Sequence, residues 1–215
     1  MSLPGSLAAT LAEVRAAGSR WELAYDRMVQ GLVASGAAAA VPAVGDRLPE
    51  FALPDSYGRW VRLADLLADG PIVLSVHRGG WCPFCRAEIA AWRRALPDLK
   101  AAGGRLALMT PETGGRAERL RDTIGPEATI LCDVDHGVAM LLGLSVPLPP
   151  DLQRAYRDAD LDLDRLTGGA GEFVPIPATF IVDRGGVVRF VHAHVDFRVR
   201  AEPSEVVKAL RAFGR

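Results

Sequence analysis

A short apolar segment gives way to a long amphipathic one across residues 71–100, and that junction restricts what the chain can fold into. Pro71-Ile72-Val73-Leu74-Ser75-Val76 is apolar and rich in β-branched residues, as a strand covered on both faces requires. From Pro83 to Lys100 apolar side chains recur at helical spacing, and Pro83 suits the first helical position, where a missing N–H costs nothing. The connecting stretch is Arg78-Gly79-Gly80-Trp81-Cys82-Pro83-Phe84-Cys85. This spacing predicts Cys82 as the helix cap and Cys85 in the first turn. Both sulfurs then face unpaired backbone N–H groups and the positive end of the helix dipole, which favour thiolate, the reactive form.

The alternation continues downstream. Strands are expected at 105–109 and 129–132, helices at 116–124 and 137–142, and a hairpin at 178–183 and 187–192 through Arg184-Gly185-Gly186. A helix at 202–213, started near Pro203, closes the chain. Upstream, residues 51–55 and 60–63 read as a second hairpin, followed by a short helix at 64–67. Strands and helices in this order specify an α/β fold, a sheet with helices on both faces. Residues 145–175 interrupt it as a Pro- and Gly-rich irregular insertion with one helical piece around Leu152 to Arg157; so long a loop usually serves a site. Before residue 46, Leu7, Leu11 and Val14, then Trp21, Tyr25, Met28 and Leu32 mark two helices divided at Gly18-Ser19. The expected organisation is an N-terminal helical extension and connector at 1–45 and an α/β domain at 46–215. The apolar stripe on the extension makes a homodimer one way to cover it.

Of 215 residues, 49% are hydrophobic, enough for a substantial core, and 25 basic against 26 acidic residues leave a net charge of −1. Without a basic footprint, neither nucleic acid nor a membrane surface is an expected partner. Charged residues such as Glu13, Arg15, Arg20 and Glu22 break up every candidate leader, so a soluble, cytoplasmic protein is expected. In such a compartment three cysteines do not make a disulfide scaffold, and a close-spaced pair is redox-active or metal-binding. Zinc held by Cys82, Cys85 and either His192 or His194, which alternation puts on one strand face, is the metal alternative. A redox pair needs no cofactor. Cys132, at the end of a short strand, reads as a small buried hydrophobe, with a distant resolving thiol as the other possibility.

Four ordered patterns resemble the thioredoxin-like superfamily, and within it the peroxiredoxin-like branch of the alkyl hydroperoxide reductase and thiol-specific antioxidant family. They are Phe51-Ala52-Leu53-Pro54-Asp55 with Gly58, the stretch from Arg78 to Cys85, Leu131-Cys132-Asp133 with Gly143-Leu144, and Pro177-Ala178-Thr179-Phe180-Ile181-Val182-Asp183. Val195-Asp196-Phe197 and Arg200-Ala201-Glu202-Pro203 add to the likeness. The resemblance implies a thioredoxin-like fold in which Pro177, following Ile176, is a cis-proline facing the cysteines and leaves the Ile176 backbone free for a thiol peptide. It also exposes departures. Aligned on Cys85 as the peroxidatic position, Cys82 replaces a threonine or serine, Arg78 replaces a proline, and Pro177 replaces the arginine that supports the peroxide. Arg78 is the candidate to supply the lost guanidinium, and Trp81 to shield the sulfurs.

Two chemistries fit one pair. Cys85 thiolate could attack a hydroperoxide and be resolved by Cys82, with an external thiol such as thioredoxin or glutathione as reductant. Alternatively Cys82 attacks a substrate disulfide and Cys85 resolves the mixed intermediate. A redox sensor that stops after one oxidation is the non-enzymatic alternative.

Overall fold

A computed structural model describes residues 6–169 and 171–213; residues 1–5 of the expected extension, Ala170 in the insertion and residues 214–215 lie outside it. Helices α1 (Leu7–Ala17) and α2 (Glu22–Ala34) come first, separated by Gly18 and a 3-10 turn at Ser19–Trp21. The Ser6 hydroxyl accepts from the Ala9 N–H and so caps α1. A hairpin of β1 (Ala52–Pro54) and β2 (Trp60–Arg62) leads into α3 (Leu63–Leu67). Strand and helix then alternate through β3 (Ile72–Val76), α4 (Pro83–Ala101), β4 (Arg105–Thr110), α5 (Arg116–Ile124), β5 (Ala128–Cys132) and α6 (Gly137–Leu141). After β6 (Ser145–Pro147), α7 (Pro150–Asp158), α8 (Leu163–Thr167) and β7 (Phe173–Pro175), the chain finishes with β8 (Ala178–Val182), β9 (Val188–Ala193) and α9 (Pro203–Phe213).

The main sheet has five strands in the order β5-β4-β3-β8-β9. β3 pairs parallel with β4, and β4 with β5, through the helical crossovers α4 and α5; β8 and β9 add on antiparallel. The fully buried β3 lies at the centre, with Leu74 beside Ala107 on one side and Phe180 on the other. Alternation along the strands separates two cores. Val73, Leu106, Leu108, Ile130 and Ile181 meet Ile89, Trp92, Leu120 and Val206 from α4, α5 and α9. On the other face Leu74, Val76, Met109 and Phe180 share a core with residues of α2, α3, α6 and α7. The expected sheet covered on both faces is therefore present, and it is mixed.

The insertion is more ordered than its composition predicts. β6 and β7 form an antiparallel pair with Val146 opposite Val174, and α7 and α8 lie between them. Three-residue strands containing proline carry too little periodicity to be read from sequence. Among the described residues no helix is long and apolar enough to cross a membrane.

The two N-terminal helices pack into the same core, through Leu7, Leu11, Tyr25, Met28 and Leu32. Their anchor is the segment before α9. The buried Arg198 guanidinium donates to Glu22 at 2.8 Å, to Asp26 at 2.7 Å and to Asp196 at 2.8 Å, and Glu202 accepts the Leu7 N–H at 3.0 Å. Removing one partner of a buried charge network costs several kcal/mol, but Asp26 is half exposed and its share is screened. Arg198→Met is expected to lower stability by about 2 kcal/mol. It should also open residues 7–34 to limited proteolysis before the sheet unfolds, as urea titration and mapped cleavage would show.

Candidate active site

The cysteines sit where β3 hands over to α4. Gly79 has φ +126°, and a Cβ there would lie 2.6 Å from the Glu112 side chain, so this turn admits only glycine without displacing its neighbour. Glu112, two residues past the end of β4, accepts the Gly80 N–H at 2.7 Å and ties the two loops together. Cys82 is the cap residue of α4, with extended φ −82° and ψ 119°, and Pro83 follows in the first turn. Cys82 is 2% exposed and Cys85 0%; neither is in a disulfide.

A charged network that the sequence reading missed lies beneath Cys85. Arg200, from the loop before α9, donates through Nη2 to Cys85 Sγ at 3.5 Å, through Nη1 to Glu88, and through Nε to the Phe197 carbonyl at 2.6 Å. Glu88 follows Cys85 by nearly one helical turn and is only 2% exposed. His77 extends the network: its Nδ1 lies 3.8 Å from Glu88 Oε2, and its Nε2 shares a 2.9 Å hydrogen bond with the Ser75 hydroxyl.

These contacts split the two thiols. Burial opposes charge on Cys85, but the Cys82 thiol donating to it, the Arg200 guanidinium and His77 outweigh that and hold its pKa well below the ordinary thiol value. Burial pushes the Cys82 thiol well up, and the charge on Cys85 adds to it. The surroundings therefore treat the two sulfurs unequally, favouring charge on Cys85 and opposing it on Cys82. A second thiolate beside Cys85 would meet like-charge repulsion without its own guanidinium contact.

Arg78, four residues before Cys82, is 1% exposed. Its Nε donates to the Pro175 carbonyl at 3.3 Å, and the guanidinium lies over the Phe197 ring, 3.8 Å from its centroid. Nη1 and Nη2 have no hydrogen-bond partner among the described residues. Two buried, unused donors on one cation are unusual, because such groups are normally paired. Burial lowers the Arg78 pKa, while Tyr156 and both cysteines favour its charged form.

Trp81 ties this loop to the insertion. Its Nε1 donates to the Arg78 carbonyl at 2.8 Å, and its ring meets Tyr156 of α7 edge-on at 5.8 Å. Tyr156 in turn meets Trp21 at 5.4 Å and its hydroxyl donates to that of Tyr25, so the extension and the insertion both wall the site.

The structure corrects the reading of Ile176 and Pro177. No cis peptide bond occurs among the described residues, so Pro177 is trans, and the Ile176 N–H donates to the Leu144 carbonyl at 2.7 Å. The stretch after β7 is thereby committed to the insertion, and that N–H is not free for an incoming peptide. Cys132 is half-buried and its thiol is pushed up to about 11, first by burial and then by Glu118, Asp55 and Glu112, which suits packing better than resolving chemistry. His194 lies beyond the end of β9, where its Nδ1 accepts from the Asp196 N–H. Among the described residues no group of three or more His, Cys, Asp or Glu could hold a metal ion.

The AhpC/TSA family model matches residues 44–191. Two Mycobacterium tuberculosis proteins, each named a "putative peroxiredoxin", are 27% identical over 144 residues, which is 67% of this chain and 80% of theirs. Among solved structures, peroxidoxin BcpB from M. tuberculosis superposes with a TM-score of 0.61 at 21% identity, covering 80% of this chain and 97% of that one. A yeast mitochondrial 1-Cys peroxiredoxin gives 0.59 at 18% identity, covering 80% of this chain and 76% of its own. These likenesses show a thioredoxin-like, peroxiredoxin fold. With the family pattern spanning the sheet and both cysteines, the chain belongs to the AhpC/TSA family of peroxiredoxin-like proteins.

Proposed function

We propose that the protein is a thiol peroxidase in which Cys85 is the peroxidatic residue and Cys82 resolves it. Cys85 thiolate attacks one oxygen of a hydroperoxide, the O–O bond breaks, and the other oxygen leaves as an alkoxide or hydroxide that takes a proton. Cys85 becomes a sulfenic acid. Cys82 then attacks that sulfur, water departs, and a Cys82–Cys85 disulfide remains for an external thiol to reduce. Such recycling belongs in a reducing compartment such as the cytoplasm.

The observation that carries this reading is Arg78, a buried guanidinium with two unpaired N–H-bearing nitrogens beside the sulfurs. Charge develops on the departing oxygen, and preorganised donors in a water-poor site stabilise it best. Arg200 holds the nucleophile charged, leaving Arg78 for the peroxide. The disulfide-reductase reading needs Cys82 as the nucleophile, and the raised Cys82 thiol works against it.

Peroxide consumption in the presence of an external thiol tests the proposal. The parent protein should consume many equivalents of hydroperoxide, and Arg78→Met should slow the oxidative step about 100-fold, as loss of one oxyanion donor does elsewhere. Consumption that stops near one equivalent, or an Arg78→Met variant as fast as the parent, would contradict it.

A further inference from the structure

We propose that an arginine-lined pocket beside Trp81 receives the recycling reductant, and that this reductant is a low-molecular-weight thiol carrying carboxylates rather than a protein dithiol. The inference rests on the peroxidase reading, whose product is the Cys82–Cys85 disulfide.

The pocket holds about 360 Å³ and is walled by Gly80, Trp81, Arg86, Glu112, Arg116 and Arg119. That volume suits a small molecule. Gly80 and Trp81 are the residues just before Cys82, so one wall of the pocket is the loop that leads into the pair. Three guanidinium groups face one carboxylate, and Glu112 already accepts the Gly80 N–H. Arg86 is committed to the carbonyls of Gly80 and Trp81 at 3.0 and 3.1 Å, and Arg116 to that of Thr113 at 3.0 Å. The Arg119 side chain makes no hydrogen bond or ion pair with any described residue. Arg116 and Arg119 project from the same side of α5, three residues apart, and both bear on the Glu112 carboxylate. An anion arriving here gains paired donors that no protein group fully uses.

The surroundings favour a small partner. Trp81 also lines a second cavity of about 490 Å³, with Trp21, Tyr25 and Tyr156 among others, and Cys82 and Cys85 are buried, so the pair is not presented on a flat face. A protein dithiol needs a surface to dock on, whereas a small thiol needs only room beside Trp81.

The chemistry balances. The small thiolate attacks Cys82 Sγ, the Cys82–Cys85 bond breaks, and its electron pair leaves on Cys85, the sulfur Arg200 already stabilises as an anion. A second small thiolate attacks the other sulfur of the mixed disulfide, releasing a small disulfide and the Cys82 thiolate, which takes a proton. Two thiols become one disulfide, and two electrons restore the pair.

Reduced glutathione, its diethyl ester, 2-mercaptoethanol and thioredoxin serve as probes, with tryptophan fluorescence following reduction of the oxidised pair. At equal thiolate concentration glutathione should outpace the ester at least about tenfold, as one charge-assisted contact allows. Arg116→Ser and Arg119→Ser should each erase about tenfold of that advantage and leave reduction by 2-mercaptoethanol unchanged. Equal rates for glutathione and ester, or fastest reduction by thioredoxin with the arginine variants unaffected, would overturn the proposal. The pair is oxidised with hydroperoxide in one arm and with diamide in the other. Arginine-dependent reduction in the diamide arm alone supports this pocket while sinking the peroxidase reading, so the two failures are distinguishable.

Discussion

Cys85→Ser is expected to abolish hydroperoxide turnover, while Cys82→Ser consumes one equivalent and stops. The asymmetry follows from the network around the sulfurs. Cys85 lies against Arg200 Nη2 at 3.5 Å and is the thiol whose charge is favoured, so its loss removes the nucleophile. A serine hydroxyl there stays protonated and cannot attack a peroxide oxygen. Cys82 is needed only afterwards, to expel water from the sulfenic acid. In Cys82→Ser that acid should persist and be trapped on Cys85 by a sulfenic-specific reagent, with a mass increase on that residue alone. Steady-state peroxide assays on both variants check the prediction, and multiple turnovers by Cys85→Ser would defeat it.

Arg200→Met should have the second-largest effect, on both rate and stability. Methionine fills a similar volume but leaves the buried Glu88 carboxylate without its cation, and breaking such a pair costs about 3–5 kcal/mol. Pairing the change with Glu88→Gln should recover most of that stability, because the uncompensated charge is gone, yet leave peroxide attack slow. That split separates a structural role from one on the thiolate. The pH dependence has a defined sign. The folded pair has one apparent pKa below that of an unfolded thiol, about 8.5. Between those two values the folded protein binds fewer protons than the unfolded chain. Stability from the thiolate is therefore fully present above the unfolded value and is lost as pH falls through the folded one. In Arg200→Met this dependence should flatten and the thiolate midpoint should move upward, as unfolding curves across pH would record.

Much of this was legible in the chain because it is local. The strand at β3, the proline that starts α4 and the two cysteines all lie within one continuous stretch, where periodicity and capping rules apply directly. Arg78 and Trp81 came from the same stretch. Arg200 did not, because it reaches Cys85 across 115 positions and only the closing of the sheet brings them together. It stood in the resembling segment Arg200-Ala201-Glu202-Pro203, a signal that it mattered without saying for what. Glu88 and His77 were hidden differently: a carboxylate on a helix and a histidine at a strand end usually face water, and only packing shows them buried. Pro177 shows the reverse error. A family pattern suggested its isomer and its role, but β6 and β7 hold that segment in an arrangement of their own, with Ile176 bonded to Leu144.

The central claim is that Cys85 is held as a thiolate beside Arg200 at neutral pH. Ultraviolet titration of thiolate absorbance in the reduced protein tests it most directly, run on the parent and on both cysteine variants. One thiolate per chain should already be present at neutral pH in the parent and in Cys82→Ser, and be missing from Cys85→Ser. If no thiolate appears until the range of an ordinary cysteine, about pH 8.5, the claim is contradicted.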